Sequence, residues 1–257
     1  MAPINYIFCI ANKDFLISSD IKPPPQMCTM NSKTLKQHFK KLNEIYSSEN
    51  WWPASSQFEV MVGAILTQNT SWSNVDKAIN NLKSSIDLHP LNILRTSNEI
   101  LETLIYPSGY YRVKTRRLKA FCEMLIAEFD GSEYKMQQLP WQEIRSILLN
   151  VNGIGPETAD DILLYALNKP VFIVDQYTMR IFSRLGYRPI YDSYEEWQTF
   201  FMQSLPNDAD LFKKYHALIV SHAQLLCRKS PLCEACPLNK VCQFATTLRR
   251  ESDINKP

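Results

Sequence analysis

Four cysteines crowd into one short stretch of the chain: Cys227, Cys233, Cys236 and Cys242, with spacers of five, two and five residues. The remaining three of the seven, Cys9, Cys28 and Cys122, are scattered. Four thiolates this close in sequence can wrap a single metal centre in one loop. The spacing belongs to metal binding rather than to a disulfide framework, and it fits a reducing cytoplasm better than an oxidising compartment. Zinc is one occupant that four thiolates accept. Arg228 and Lys229 sit inside the loop, where a metal staple would hold both cations toward an anionic partner.

A second constellation lies upstream. Val151-Asn152-Gly153-Ile154-Gly155-Pro156 reads as a tight turn between two helices, Trp141 to Asn150 and Glu157 to Leu167. Two glycines around one apolar residue let the backbone turn sharply, and Pro156 suits the first turn of the helix that follows. Backbone N–H groups bared at such a turn can bind phosphate; a plain helical hairpin uses the same residues. Farther on comes Val174-Asp175-Gln176. An aspartate between an apolar run and a new helix is by default an N-cap. At the mouth of a cleft it is also a candidate catalytic carboxylate.

The elements that must position these groups read as helices. Leu35, Phe39, Leu42 and Tyr46 step by three or four, as do Phe58, Met61, Val62, Ile65 and Leu66, and then Val75, Ile79 and Leu82. Proline and glycine punctuate often, so the helices are short. Val171 to Val174 is the one β-like run, short enough to be a buried connector. The expected class is all-α. A chain of 257 residues with 45% hydrophobic and 21% charged residues can bury one large core or two modest ones. Its net charge of +2 excludes a general polycation, so any nucleic-acid role needs a local basic patch, the strongest being Tyr110 to Lys119. No apolar run approaches the length of a membrane span. The folded protein is expected to begin near Ser32, after the Pro23-Pro24-Pro25 stretch.

Helix–Gly153-Ile154-Gly155–helix, then Val174-Asp175, then the four-cysteine loop resembles, in that order, the endonuclease III branch of the helix-hairpin-helix DNA glycosylases. The likeness spans roughly Ser32 to Phe244. It implies two helical domains around a DNA-binding cleft. One is a six-helix barrel over 54–168 that contains the hairpin; the other is an iron–sulfur cluster domain built from 32–53 and 169–245. Residues 1–31 are then a disordered extension and 246–257 a flexible tail. The resemblance also implies a [4Fe-4S] cluster on Cys227, Cys233, Cys236 and Cys242. The family's usual first spacer is six residues and this chain has five. Zinc stays as the competing occupant, since thiolate chemistry alone does not separate the two.

Glu157 is the larger departure. Bifunctional members read Gly-Val-Gly-x-Lys-Thr-Ala, and that lysine attacks the sugar; here the residues are Gly153-Ile154-Gly155-Pro156-Glu157-Thr158-Ala159. A carboxylate cannot form a Schiff base, so the resemblance implies a monofunctional glycosylase that uses water and keeps little lyase activity. Asp175 matches the family's catalytic aspartate, which stabilises an oxocarbenium-like sugar and orients or deprotonates water. Glu157 is a second carboxylate that can assist; its plain alternative is to complement the helix dipole.

The segments around Trp51-Trp52 and Leu66 to Trp72 look like those of the 3-methyladenine glycosylases. There, aromatics at the positions of Trp51 and Trp72 sandwich a cationic alkylated purine, which an indole face attracts; Trp52 reads as core. The target base leaves the stack, and Gln68 and Asn69 match the residues that fill the gap. Gly153, Gly155, Arg228 and Lys229 are the expected phosphate contacts. The expected partner is double-stranded DNA with a damaged base, 3-methyladenine foremost, bound by a monomer in the cytoplasm. Two other functions stay open. One is an endonuclease III-like glycosylase and lyase acting on oxidised pyrimidines. The other is a non-catalytic damaged-DNA-binding protein.

Overall fold

The computed structural model describes residues 32–49 and 51–254, so the extension expected over 1–31 lies outside the described residues. The helices begin with α1 (Ser32–Asn43), α2 (Gln57–Leu66), α3 (Trp72–Ser85), α4 (Pro90–Arg95) and α5 (Asn98–Leu104). The long α6 (Tyr111–Phe129) leads to α7 (Glu133–Gln137), α8 (Trp141–Leu149) and α9 (Pro156–Asp161). α9 continues as one π turn over Ile162–Ala166. Then come α10 (Gln176–Leu185), α11 (Tyr194–Ser204), α12 (Ala209–Leu225) and α13 (Gln243–Ile254). There is no strand among the described residues; the β-like run 171–174 is an extended connector with every side chain buried.

Short helices in a loop-rich chain need their ends closed, and the sequence places oxygen acceptors there. Ser56, Ser97, Ser132, Asp175, Ser193 and Asp208 each accept a backbone N–H of the following first turn. Each such cap contributes about 1 kcal/mol.

The apolar stripes pack into two cores. The first gathers side chains from Phe58 to Val171 around α2, which is buried from Phe58 through Leu66. The second joins Leu35 and Leu42 of α1 to the connector and to α10, α11 and α12. The π turn is the seam between them. Ile162 and Leu163 lie in the first core and Leu164 in the second, while Tyr165 packs against both. A π turn inserts one residue into the helical step, which lets successive side chains serve both sides.

Two segments differ from expectation. The basic stretch Tyr110 to Lys119, the strongest basic patch of the sequence, turns two of its cations to backbone carbonyls. Lys114 is buried and its Nζ donates to Leu66 O at 2.8 Å and Ser108 O at 2.6 Å, closing the end of α2. Lys119 Nζ likewise donates to Thr96 O at 2.8 Å. Carbonyls orphaned at helix ends account for both placements. The segment expected as a flexible tail from 246 is helical to Ile254. Buried Ala245 anchors it, and Arg249 Nη2 donates to Asn239 O at 3.1 Å.

Candidate active site

The turn between α8 and α9 is held from beneath. Gly153 has φ +88, in the left-handed region, and a Cβ there would collide with the Arg117 side chain. Gln68 Nε2 donates to Gly153 O at 3.0 Å and to Thr158 Oγ1 at 2.9 Å, while Arg117 donates to Gln68 Oε1. Gln68 is thus tied to the hairpin. Its neighbour Asn69 occupies a left-handed position, φ 56, in the turn after α2. Gly155 has open space where a side chain would stand.

Asp175 is the N-cap of α10, as a capping aspartate should be. Its Oδ1 accepts Thr178 N–H at 2.6 Å, and the residue is 7% exposed. Its Oδ2 lies 3.7 Å from His216 Nε2 on α12, and His216 Nδ1 lies 2.9 Å from the Tyr165 hydroxyl. Burial pushes the Asp175 carboxyl upward. The His216 ring and the Thr178 amide and hydroxyl outweigh that and hold it below the usual carboxylate range.

The helix opposite carries Glu157, Asp161 and Tyr165 at steps of four residues, so one face of α9 and its π turn looks toward Asp175. Asp161 is pushed well above the ordinary range by burial and by Glu157, Asp175 and Asp160. Glu157 is pushed up to about 7 by burial and then by Asp175. Its side chain is nonetheless exposed, so water screens it, and the direction rather than the size bears on the chemistry. The site therefore holds one carboxylate shifted down, Asp175, beside two shifted up, Glu157 and Asp161.

Asp160 fixes the approach to Asp175. Fully buried, it takes Arg145 Nε at 2.8 Å and Nη2 at 3.2 Å, the Tyr194 hydroxyl at 2.7 Å and Gln198 Nε2 at 2.7 Å. Gln198 also donates to Phe172 O at 2.8 Å, and Val174 N–H donates to the Tyr194 oxygen at 3.4 Å. The connector that ends at Asp175 is thereby tied to α8, α9 and α11.

Trp52, expected as core, packs against the first core. Trp52, rather than Trp51, packs on Trp72, with ring centroids 5.2 Å apart, and its other neighbour is Tyr165 at 4.8 Å. Trp51 is half-buried, and its indole N–H lies within polar reach of the Tyr165 oxygen. The physical reason is Gly63: with no side chain on α2 at that point, the Trp52 indole settles against the helix. Tyr165 and His216 have no counterpart in the sequence reading. The step of four from Glu157 through Asp161 was the available signal for Tyr165; His216 on a buried helix face gave none.

The four loop cysteines are free and half-buried, and the thiols of Cys233 and Cys236 each feel the other three, or two of them, electrostatically. Nitrogens approach the sulfurs: Arg184 Nη1 donates to Cys227 Sγ at 3.3 Å, and His222 Nε2 lies 3.6 Å from Cys236 Sγ. Such N–H groups suit thiolates that bind metal. No three ligand-type side chains among the described residues close to a single-ion geometry. The loop is clamped to α10: Arg180 and Arg184 donate to Cys227 O, and Arg184 also to Arg228 O and Lys229 O. Arg228 and Lys229 are both exposed.

Residues 62–207 match the family described as HhH-GPD superfamily base excision DNA repair protein. A candidate DNA repair glycosylase of Methanocaldococcus jannaschii, MJ1434, is 45% identical over 206 residues, covering 79% of this chain and 93% of its own. Endonuclease III of Thermotoga maritima is 29% identical over 188 residues, covering 73% of this chain and 83% of its own. Among solved structures, the 3-methyladenine DNA glycosylase (MagIII) of H. pylori bound to 1,N6-ethenoadenine superposes with a TM-score of 0.64 at 30% identity. That alignment covers 75% of this chain and 97% of the other. The helical fold, the hairpin and these likenesses agree: the chain belongs to the HhH-GPD superfamily of base excision DNA repair proteins, as a DNA glycosylase of the endonuclease III type.

Proposed function

We propose that the protein is a monofunctional DNA glycosylase that releases an alkylated purine, such as 3-methyladenine, from duplex DNA with water activated by Asp175. The observation that carries this reading is the pairing of a buried, ionised Asp175 with Glu157, where bifunctional members present an amine. As the bond from C1′ to the base breaks, positive charge grows on the sugar, and a fixed carboxylate stabilises it. Water adds to C1′, its proton passes to the carboxylate, and the base leaves with the bonding electrons. A cationic base is already a good leaving group. The half-buried indoles near Tyr165 offer π faces to such a base.

The two cores correspond, in this reading, to a barrel over 54–168 and a second domain from 32–53 and 169–245. Cys227, Cys233, Cys236 and Cys242 would hold a [4Fe-4S] cluster, with zinc as the alternative. When bound, the cluster cross-links the loop; Arg228 and Lys229 beside it face the phosphate backbone together with Gly153 and Gly155. Gln68 braces the hairpin, which leaves Asn69 as the better group to occupy the gap of the flipped base.

A second reading has an observation of its own. Asp161 favours its protonated form and can donate a proton to a neutral leaving base, which suits oxidised pyrimidines as well. A panel of duplexes carrying 3-methyladenine, 7-methylguanine, thymine glycol, uracil or a mismatch separates the two. Release confined to the methylated purines supports the first reading; release of thymine glycol alone moves the assignment to the second. No release from any duplex leaves a damaged-DNA-binding protein.

A further inference from the structure

His216 is 7% exposed, and its Nε2 has no hydrogen-bond partner among the described residues. Buried polar nitrogens are rarely left in that condition. Asp175 Oδ2 lies 3.7 Å from this one. A carboxylate accepts and does not donate, so the nitrogen facing it carries the proton. In the neutral imidazole Nδ1 is then the acceptor, and the Tyr165 hydroxyl, 2.9 Å away, donates to it; the other acceptor for that hydroxyl, Lys213 O, is farther away at 3.5 Å. The chain has one direction: Tyr165 O–H to His216 Nδ1, then His216 Nε2–H to Asp175 Oδ2. Only the last link is open, and catalytic links of this kind commonly tighten when substrate is bound.

Tyr165 is where this chain meets the aromatic group. Its ring packs on Trp52 and it touches both cores at the π turn. We propose that Tyr165 and His216 are positioning residues, a relay of fixed direction that closes on Asp175 when a damaged base enters, so that the residues receiving the base also aim the carboxylate. The inference rests on the reading of Asp175 as the catalytic group. Asp175 faces Glu157 and Asp161 from α9, Tyr165 from the π turn, Thr178 from its own helix and His216 from α12. His216 in turn faces Asp175, Glu157 and Tyr165. The charged neighbours other than His216 are acids. Without the imidazole, burial and those acids push Asp175 up.

The test is single-turnover base release from duplex DNA methylated with dimethyl sulfate, measured across pH. For His216→Phe the acid limb should move up by at least about one pH unit, with the rate loss shrinking as pH rises. His216→Gln, which keeps an N–H donor, should recover most of the native limb. Tyr165→Phe should move the limb in the same direction by less. Affinity for an abasic-site duplex should stay native in all three. A loss equal at every pH, or a glutamine variant as impaired as the phenylalanine one, would overturn the relay. Asp175→Asn is run alongside. If it releases base at the native rate, the reading of Asp175 itself fails. If it is inactive while His216→Phe keeps the native pH profile, only the relay fails. Should His216→Phe not fold, His216→Gln and Tyr165→Phe carry the same comparison.

Discussion

The proposed chemistry turns on two carboxylates whose surroundings shift them in opposite directions. Asp175 is held down by a helix N-terminus and an imidazole, and Glu157 is pushed up toward neutrality by its surroundings. Glu157→Lys therefore should convert the protein toward covalent chemistry: borohydride in the presence of an alkylated duplex should trap an adduct that the native protein does not form. The sign of the Glu157 shift gives a second prediction. A folded-state value raised from 4.5 to about 7 favours the folded state below the lower value, and that advantage is lost as pH rises through the upper one. Glu157→Gln should then melt at the native temperature in acid and above it in mild alkali, as followed by circular dichroism. Asp175 could be recognised from sequence because an N-cap between an apolar run and a helix has a local signature. Tyr165 and His216 could not, since their roles exist only where three separate elements meet. Which of Trp51 and Trp52 meets Trp72 is likewise not a local matter: adjacent residues in a loop share every local signal, and a glycine on another helix gives Trp52 its seat.

At the scale of elements, the site is a set of helix ends held by carbonyl and carboxylate partners. Asp160→Ala removes one side of a buried ion pair and leaves Arg145 uncompensated. The expected loss is about 3–5 kcal/mol in urea denaturation, with weaker base release because the connector before Asp175 loosens. Gly153→Ala forces a side chain into a left-handed conformation, at roughly 1–2 kcal/mol, and against Arg117. Affinity for an abasic-site duplex should fall while the secondary structure by circular dichroism stays. The helices themselves were readable from three-and-four periodicity and from the proline and glycine punctuation between them. The π turn was not: nothing in Ile162 to Ala166 departs from an ordinary helical pattern, and the extra residue is accommodated because the segment must serve two cores. Lys114 also defied its local setting, since a basic run predicts a wet surface and an open helix end beneath it draws the amine inside.

For the whole molecule, α10 joins the two halves of the account. It begins at Asp175, and through Arg180 and Arg184 it clasps the loop that carries the cysteines. Arg184→Ala should release that grip: purified protein should retain less iron and acid-labile sulfide per chain, and its melting transition should fall. Zinc in place of iron in the native protein, by elemental analysis, would refute the cluster while leaving the staple. The order of motifs along the chain made the family legible before any geometry, because hairpin, aspartate and cysteine loop are each weak alone and specific in combination. The lesion was not legible, since pocket shape depends on how Trp51, Trp52, Trp72 and Tyr165 pack. The central claim is hydrolysis by Asp175 without an amine nucleophile. Its most direct measurement is single-turnover reaction with a methylated duplex, split between quenching in base and quenching in borohydride. The expected outcome is released methylpurine, an intact abasic strand until alkali is added, and no protein–DNA adduct. A borohydride-dependent adduct forming at the rate of base release would contradict it.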